Sequence, residues 1–152
     1  MELFAKEEKD FANIAQKLIS NIKLIYANRS NSAFRSYIEL QGDLGAGKTT
    51  LVRYILRELG FNGKVKSPTY NFLESYDIEK FLNYSHIQHF DLYRFTDDNM
   101  WFEHGFDEYL NSDNLVFIEW ASLAYTCLPQ PFIKVRINFD ENNNSNTRIV
   151  SW

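Results

Sequence analysis

The stretch Gly42-Asp43-Leu44-Gly45-Ala46-Gly47-Lys48-Thr49 decides how this chain folds. It fits G-x-x-x-x-G-K-[ST] at every fixed position, and each position has a physical reason. Glycines let backbone N–H groups turn inward with no Cβ in the way, which forms a concave nest for anionic oxygens. A helix starting near Lys48 aims the positive end of its dipole at the same point. The lysine reaches the β- and γ-phosphates, and the Thr49 hydroxyl ligates Mg²⁺. With Gly near 7% of residues, a random window matches about once in 30,000, or about one accident in 200 chains of this length. The competing reading, a glycine-rich turn that only caps a helix, fails on context. An apolar strand precedes the loop and an amphipathic helix follows it, as a phosphate loop requires. This is a nucleotide site.

Upstream of the loop, Phe11, Ile14, Ala15, Leu18, Ile19 and Ile22 recur at three and four residues, which predicts an amphipathic helix. Asn28–Ser36 is polar and small, hence a loop, and a strand is expected at about Ser36–Gln41. Glu39 inside that strand is unexpected for a buried central position. Downstream, Leu51, Val52, Ile55, Leu56 and Leu59 form one helical face ended by Gly60. Ser67-Pro68 breaks the chain. Two β-rich runs follow, Tyr70–Tyr76 and Tyr84–Leu92, joined by the charged stretch Asp77–Asn83. A helix is predicted over Asp98–Leu110, then a short strand over Leu115–Ile118 ending in Glu119. Ile133, Val135, Ile137 and Phe139 alternate with polar residues, so that strand has one wet face. Arg148–Trp152 returns beside it after a loop at Asp140–Asn146. The expected fold is α/β: a P-loop NTPase-like mixed β-sheet flanked by helices, in one domain spanning residues 1–152.

Composition narrows the classes. The chain has 152 residues, 45% of them hydrophobic and 24% charged, values that exclude a disordered tail and suit a domain with a real core. Sixteen Lys and Arg against twenty Asp and Glu leave a net charge of −4, which counts against a stand-alone nucleic-acid binder. No apolar run is long enough to cross a bilayer, and Met1–Asp10 carries no signal-peptide core. One cysteine, Cys127, permits no internal disulfide. Together these features lead us to expect a cytoplasmic protein without a membrane partner. Cys127 itself is read as a small buried hydrophobe.

A phosphate loop does not finish a magnesium site or position an attacking water. Two carboxylates end apolar runs in the manner this needs. Asp91 follows Ile87-Gln88-His89-Phe90, and Glu119 follows Leu115-Val116-Phe117-Ile118. Either can hold Mg²⁺, directly or through water, and Glu119 can also orient the attacking water. Thr69, in Ser67-Pro68-Thr69-Tyr70, lies where nucleotide hydrolases place a γ-phosphate-sensing switch, although Ser-Pro-Thr taken alone reads as a turn. His89 alternates with Asp91 on one strand face, which suits a supporting contact or plain packing equally. Arg94 is the one arginine at a motif position, with a structural ion pair as its simpler role.

Four segments then fall together: GDLGAGKTTLVR (Gly42–Arg53), SPTY (Ser67–Tyr70), HFDLYR (His89–Arg94) and Glu119-Trp120. In this order and spacing they closely resemble the small bacterial P-loop ATPases of the TsaE (formerly YjeE) family, over most of the chain. The resemblance implies ATP and Mg²⁺ as ligands and a part in making threonylcarbamoyladenosine next to the tRNA anticodon. It implies that Gly42, Asp43, Leu44, Gly45, Ala46, Gly47, Lys48, Thr49 and Thr50 contact nucleotide, with Trp120 close enough to sense it. Thr49, Asp91 and Glu119 would form the metal site, and Lys48, Thr69 and Glu119 would act in hydrolysis. The implied partners are a TsaD-type transferase and its TsaB-type companion, so tRNA is engaged only indirectly. Members often carry Pro and then Glu after Glu-Trp, whereas Ala121 and Ser122 stand here, and SPTY replaces the commoner SPTF. The stretch Asp77–Asn83 looks longer than usual.

Two other classes compete. A small P-loop kinase acting on a nucleoside or other small molecule suits the length, but no Arg-rich lid segment is visible. A binding module with a vestigial loop is at odds with intact Gly47, Lys48, Thr49, Asp91 and Glu119.

Overall fold

Among the described residues seven strands form one sheet, in the order β1-β7-β6-β2-β5-β4-β3. The computed structural model describes residues 1–28, 36–111, 113–141 and 146–152. The strands are β1 (Glu2–Ala5), β2 (Ile38–Gln41), β3 (Leu73–Phe81), β4 (Tyr84–Asp91), β5 (Asn114–Glu119), β6 (Ile133–Phe139) and β7 (Arg148–Ser151). The middle four, β6-β2-β5-β4, are parallel, whereas the outer pairs are antiparallel. The sheet is therefore mixed, as expected. Most of the predicted loop at Asn28–Ser36, and the middle of the one at Asp140–Asn146, lie outside the described residues.

Side-chain alternation divides the core between the two faces of the sheet. Ile38 and Leu40 of β2, Leu115 and Phe117 of β5 and Val135 and Ile137 of β6 pack with helices α1 (Phe11–Ala27) and α2 (Lys48–Glu58). Helix α1 buries the six apolar residues that its spacing marked. Val116 and Ile118 point the other way, into a largely aromatic cluster with Phe90, Trp101 and Phe106. Each fully buried Leu or Ile contributes about 1.5–3 kcal/mol relative to exposure, so packing on both faces stabilises the sheet. Leu115–Ile118 is apolar at every position because β5 is covered on both sides.

Three expectations need correction. The first β-rich run does not end at Tyr76: β3 runs on through the charged stretch to Phe81, with irregular pairing after Asp77, and only Leu82-Asn83 turn. Its charges are compatible with a strand because β3 is the sheet edge and Asp77, Glu79 and Lys80 face solvent. The helix predicted over Asp98–Leu110 is two short pieces, α3 (Met100–Glu103) and a 3₁₀ turn at Phe106–Tyr109. On one continuous helix Trp101 and Phe106 would face about 140° apart. The break at Gly105 lets both rings enter the same cluster, with centroids 5.6 Å apart. Strand β1 carried no usable periodicity, being four residues long, and it pairs with β7. Cys127 is half-buried rather than buried.

Candidate nucleotide site

Strand β2 ends at Gln41, and the phosphate loop links it to α2. Two of its glycines have no substitute. Gly42 sits at φ +149°, and a Cβ there would lie 2.4 Å from the backbone oxygen of Ile137. Gly47 caps α2 at φ +113°, where a Cβ would meet the Phe11 ring at 2.9 Å. The loop is thus pressed between β6 and α1, and Arg148 Nε donates to its Ala46 carbonyl at 3.2 Å. Phe11 and Arg148 gave no sign of this in the sequence. They lie far from the motif, and only the fold brings them to it.

Lys48 is 5% exposed and folds back along the loop, its Nζ donating to the carbonyls of Gly42 at 2.6 Å and Asp43 at 2.9 Å. The ammonium also lies 4.6 Å from the centroid of the Trp120 ring. Burial holds its pKa below the usual lysine range, against the opposing pull of the Glu119, Asp91 and Asp43 carboxylates. A buried cation whose hydrogen bonds go to neutral carbonyls is well suited to exchange them for an anion.

The two candidate carboxylates come together. Asp91 and Glu119 are register partners at the C-terminal ends of the parallel strands β4 and β5, each 4% exposed. Thr49 Oγ1 donates to Glu119 Oε1 at 2.9 Å, and His89 Nε2 contacts the same oxygen at 2.8 Å. His89 therefore contacts Glu119 and is also fully buried, so it has both of the roles that its strand position allowed. Thr69 Oγ1 donates to Asp91 Oδ2 at 2.7 Å, and Ser67 Oγ lies 2.9 Å from Thr69 Oγ1. Asp91 Oδ1 accepts the Tyr93 N–H at 3.0 Å. Thr69 thus lies in a turn, as its local sequence suggested, and also touches the carboxylate pair. Arg94 makes no such contact: it is exposed, with its guanidinium 4.2 Å from the Tyr70 ring centroid.

Lys48, Thr49, Thr69, Asp91, Glu119 and Trp120 line one cavity of about 220 Å³, together with Leu44, Gly45, Gly47 and Thr50. Asp43 and Ala46 lie beside it, with Asp43 exposed and Ala46 buried. A second cavity of about 190 Å³ continues from Gly45, Gly47 and Thr50 toward Glu7, Phe11 and Arg148. In the first, two buried carboxylates outweigh one ammonium. A polyphosphate entering alone would meet net repulsion, whereas a divalent cation arriving with it would balance the charge. The donors are hard oxygens, which suits Mg²⁺. Both ligands therefore fit the residues present.

Comparison with known proteins identifies the family. The family described as "Threonylcarbamoyl adenosine biosynthesis protein TsaE" matches residues 5–150. A Haemophilus influenzae protein named tRNA threonylcarbamoyladenosine biosynthesis protein TsaE is 43% identical over 102 residues. That match spans 67% of this chain and 62% of the relative, so less than two thirds of the relative's length is covered. A Rickettsia prowazekii protein of the same name is 37% identical over 140 residues, spanning 91% of this chain and 84% of its own. In fold, the crystal structure of Bacillus subtilis YdiB superposes with a TM-score of 0.66 at 24% identity, covering 99% of this chain and 82% of the other. A match that runs from β1 through β7 and includes the loop, the paired carboxylates and Thr69 shows that this chain belongs to the TsaE family.

Proposed function

We propose that this chain binds ATP with Mg²⁺, hydrolyses it slowly, and thereby drives a subunit switch in the making of tRNA threonylcarbamoyladenosine. One observation carries the reading. The register-paired Asp91 and Glu119 each hold a hydroxyl from a different segment, Thr69 and Thr49, across from Lys48. Such a set would join a phosphate site to a metal site and to the Ser67–Tyr70 segment.

Lys48 would leave the Gly42 and Asp43 carbonyls for the β- and γ-phosphates, restoring the charge partner that burial removes. Thr49, Asp91 and Glu119 would hold Mg²⁺. A bound Mg²⁺ neutralises charge on the phosphate oxygens. Glu119, fixed at Oε1 by Thr49 and His89, would orient the attacking water and take its proton. The cavity toward Phe11 and Arg148 is contiguous space for the ribose and base. Thr69 would follow the γ-phosphate, ordering Ser67–Tyr70 when it is present and releasing that segment after hydrolysis. The surface so switched would dock on a TsaB–TsaD type pair, with tRNA met only through the partners. No helix among the described residues is long and apolar enough to cross a membrane.

The test is Mg²⁺-dependent ATP hydrolysis by the protein alone and with a TsaB–TsaD pair. Slow turnover alone is expected, because Arg94 is engaged with Tyr70 and stands apart from the phosphate cavity. Turnover should rise, or become coupled to tRNA modification, when the pair is added. Phosphate transfer to an added nucleoside in place of hydrolysis would overturn the reading in favour of a kinase. Substituting Thr69→Val removes the hydroxyl at nearly constant volume. It should lower partner-stimulated hydrolysis about tenfold while changing stability by about 1 kcal/mol, the net worth of one hydrogen bond. Equal partner stimulation in wild type and variant would remove Thr69 from the switch.

A further inference from the structure

A third cavity, of about 330 Å³, adjoins the phosphate site at Trp120. It is bounded by Glu39, Gln41, Asp43, Trp120, Tyr125 and Asn138; among the described residues no Lys, Arg or His lines it, although two cations of β6 contact its lining, Arg136 Nε donating to Gln41 Oε1 at 3.1 Å and Lys134 Nζ lying 5.9 Å from the Tyr125 ring centroid. Glu39 is the carboxylate that β2 had no reason to contain. It is 2% exposed, and its Oε1 accepts from Gln41 Nε2 at 2.9 Å and from the Tyr125 hydroxyl. Its Oε2 is buried and makes no hydrogen bond among the described residues. Lys134 Nζ comes to 3.8 Å of Oε2, near enough to attract it but too far to donate to it. Burying a carboxylate with one oxygen unserved is costly, and an apolar side chain would fill a central strand better.

We propose that this cavity receives the guanidinium of an arginine side chain presented by a partner protein. The chemistry is that of a cation with several donors and a planar face. Glu39 and Asp43 supply charge, Asn138 a further polar contact, and the Trp120 and Tyr125 rings surfaces on which a guanidinium stacks. A partner protein suits the Tyr125 ring, which lines the cavity and is 44% exposed, so that a covering surface would bury it. An occupant would press on Trp120 and on Asp43, whose ring and carbonyl hold Lys48. Its affinity would therefore be linked to nucleotide binding, and the linkage would be reciprocal. The site itself needs no nucleotide, so it stands or falls independently of the ATPase reading.

The experiment titrates the nucleotide-free full chain with Nα-acetyl-arginine methylamide, its citrulline counterpart and agmatine, followed by amide and indole NMR shifts. Saturable shifts at Trp120, Tyr125 and Asn138 are expected with the arginine derivative. Binding should be about tenfold weaker for citrulline, which lacks the charge, and about tenfold weaker in Glu39→Gln. Asn138→Ala changes an exposed residue, so it tests the same cavity should Glu39→Gln fold poorly. Equal binding of citrulline and arginine derivatives, shifts elsewhere, or no saturation would overturn the proposal. Agmatine binding tenfold tighter than the arginine derivative would assign the cavity to a free small cation and equally overturn it.

Discussion

Replacing Glu119 by glutamine is expected to leave ATP affinity within about threefold of wild type and to lower kcat by about 10²–10⁴-fold, the range for a general base. Glutamine keeps the length of the side chain and an acceptor for the Thr49 hydroxyl, so the cavity should hold its shape. What disappears is the negative charge that would orient water and take its proton. Lys48 and the loop backbone, which would carry phosphate affinity, are untouched. The measurement is single-turnover hydrolysis beside equilibrium binding of a fluorescent nucleotide. Retained turnover would remove Glu119 from the hydrolytic role and leave Asp91, its register partner, as the remaining carboxylate.

The second large effect is structural. Gly42→Ala should destabilise the fold by about 3 kcal/mol, combining a sparsely allowed backbone conformation with overpacking. Its Cβ would sit 2.4 Å from the Ile137 oxygen, which belongs to the backbone of β6 and cannot rotate away. For a chain of this size each kcal/mol shifts Tm by about 2–4 °C, so a fall of about 6–12 °C is expected. Nucleotide binding should suffer as well, because the Gly42 carbonyl that anchors Lys48 moves with the strain. A Tm within a degree or two of wild type would mean that β6 yields far more easily than its place in the sheet suggests.

Much of the site was legible because its chemistry is local. Eight consecutive residues define the phosphate loop, and Asp91 and Glu119 each close an apolar run, so strand ends could be inferred without knowing which strands pair. Register was not legible. Nothing in either run says that Asp91 faces Glu119 across β4 and β5, or that His89 reaches Glu119 rather than the core. Helix α1 was readable because six apolar residues keep one period over three turns. The segment from Asp98 to Leu110 was not, because its aromatic residues are placed by ring packing around Phe90 and not by helical spacing. Glu39 was visible as an oddity, but its meaning depended on Tyr125, 86 residues away.

The outer edge of β3 has a further consequence. It ends the sheet, and a free row of backbone donors and acceptors invites another chain to add a strand. Asp77, Glu79 and Lys80 line this edge where the pairing with β4 turns irregular, so an incoming strand would meet charge and a twisted backbone. The charged residues that set this stretch apart in the sequence thus oppose strand addition, at the one long edge strand among the described residues.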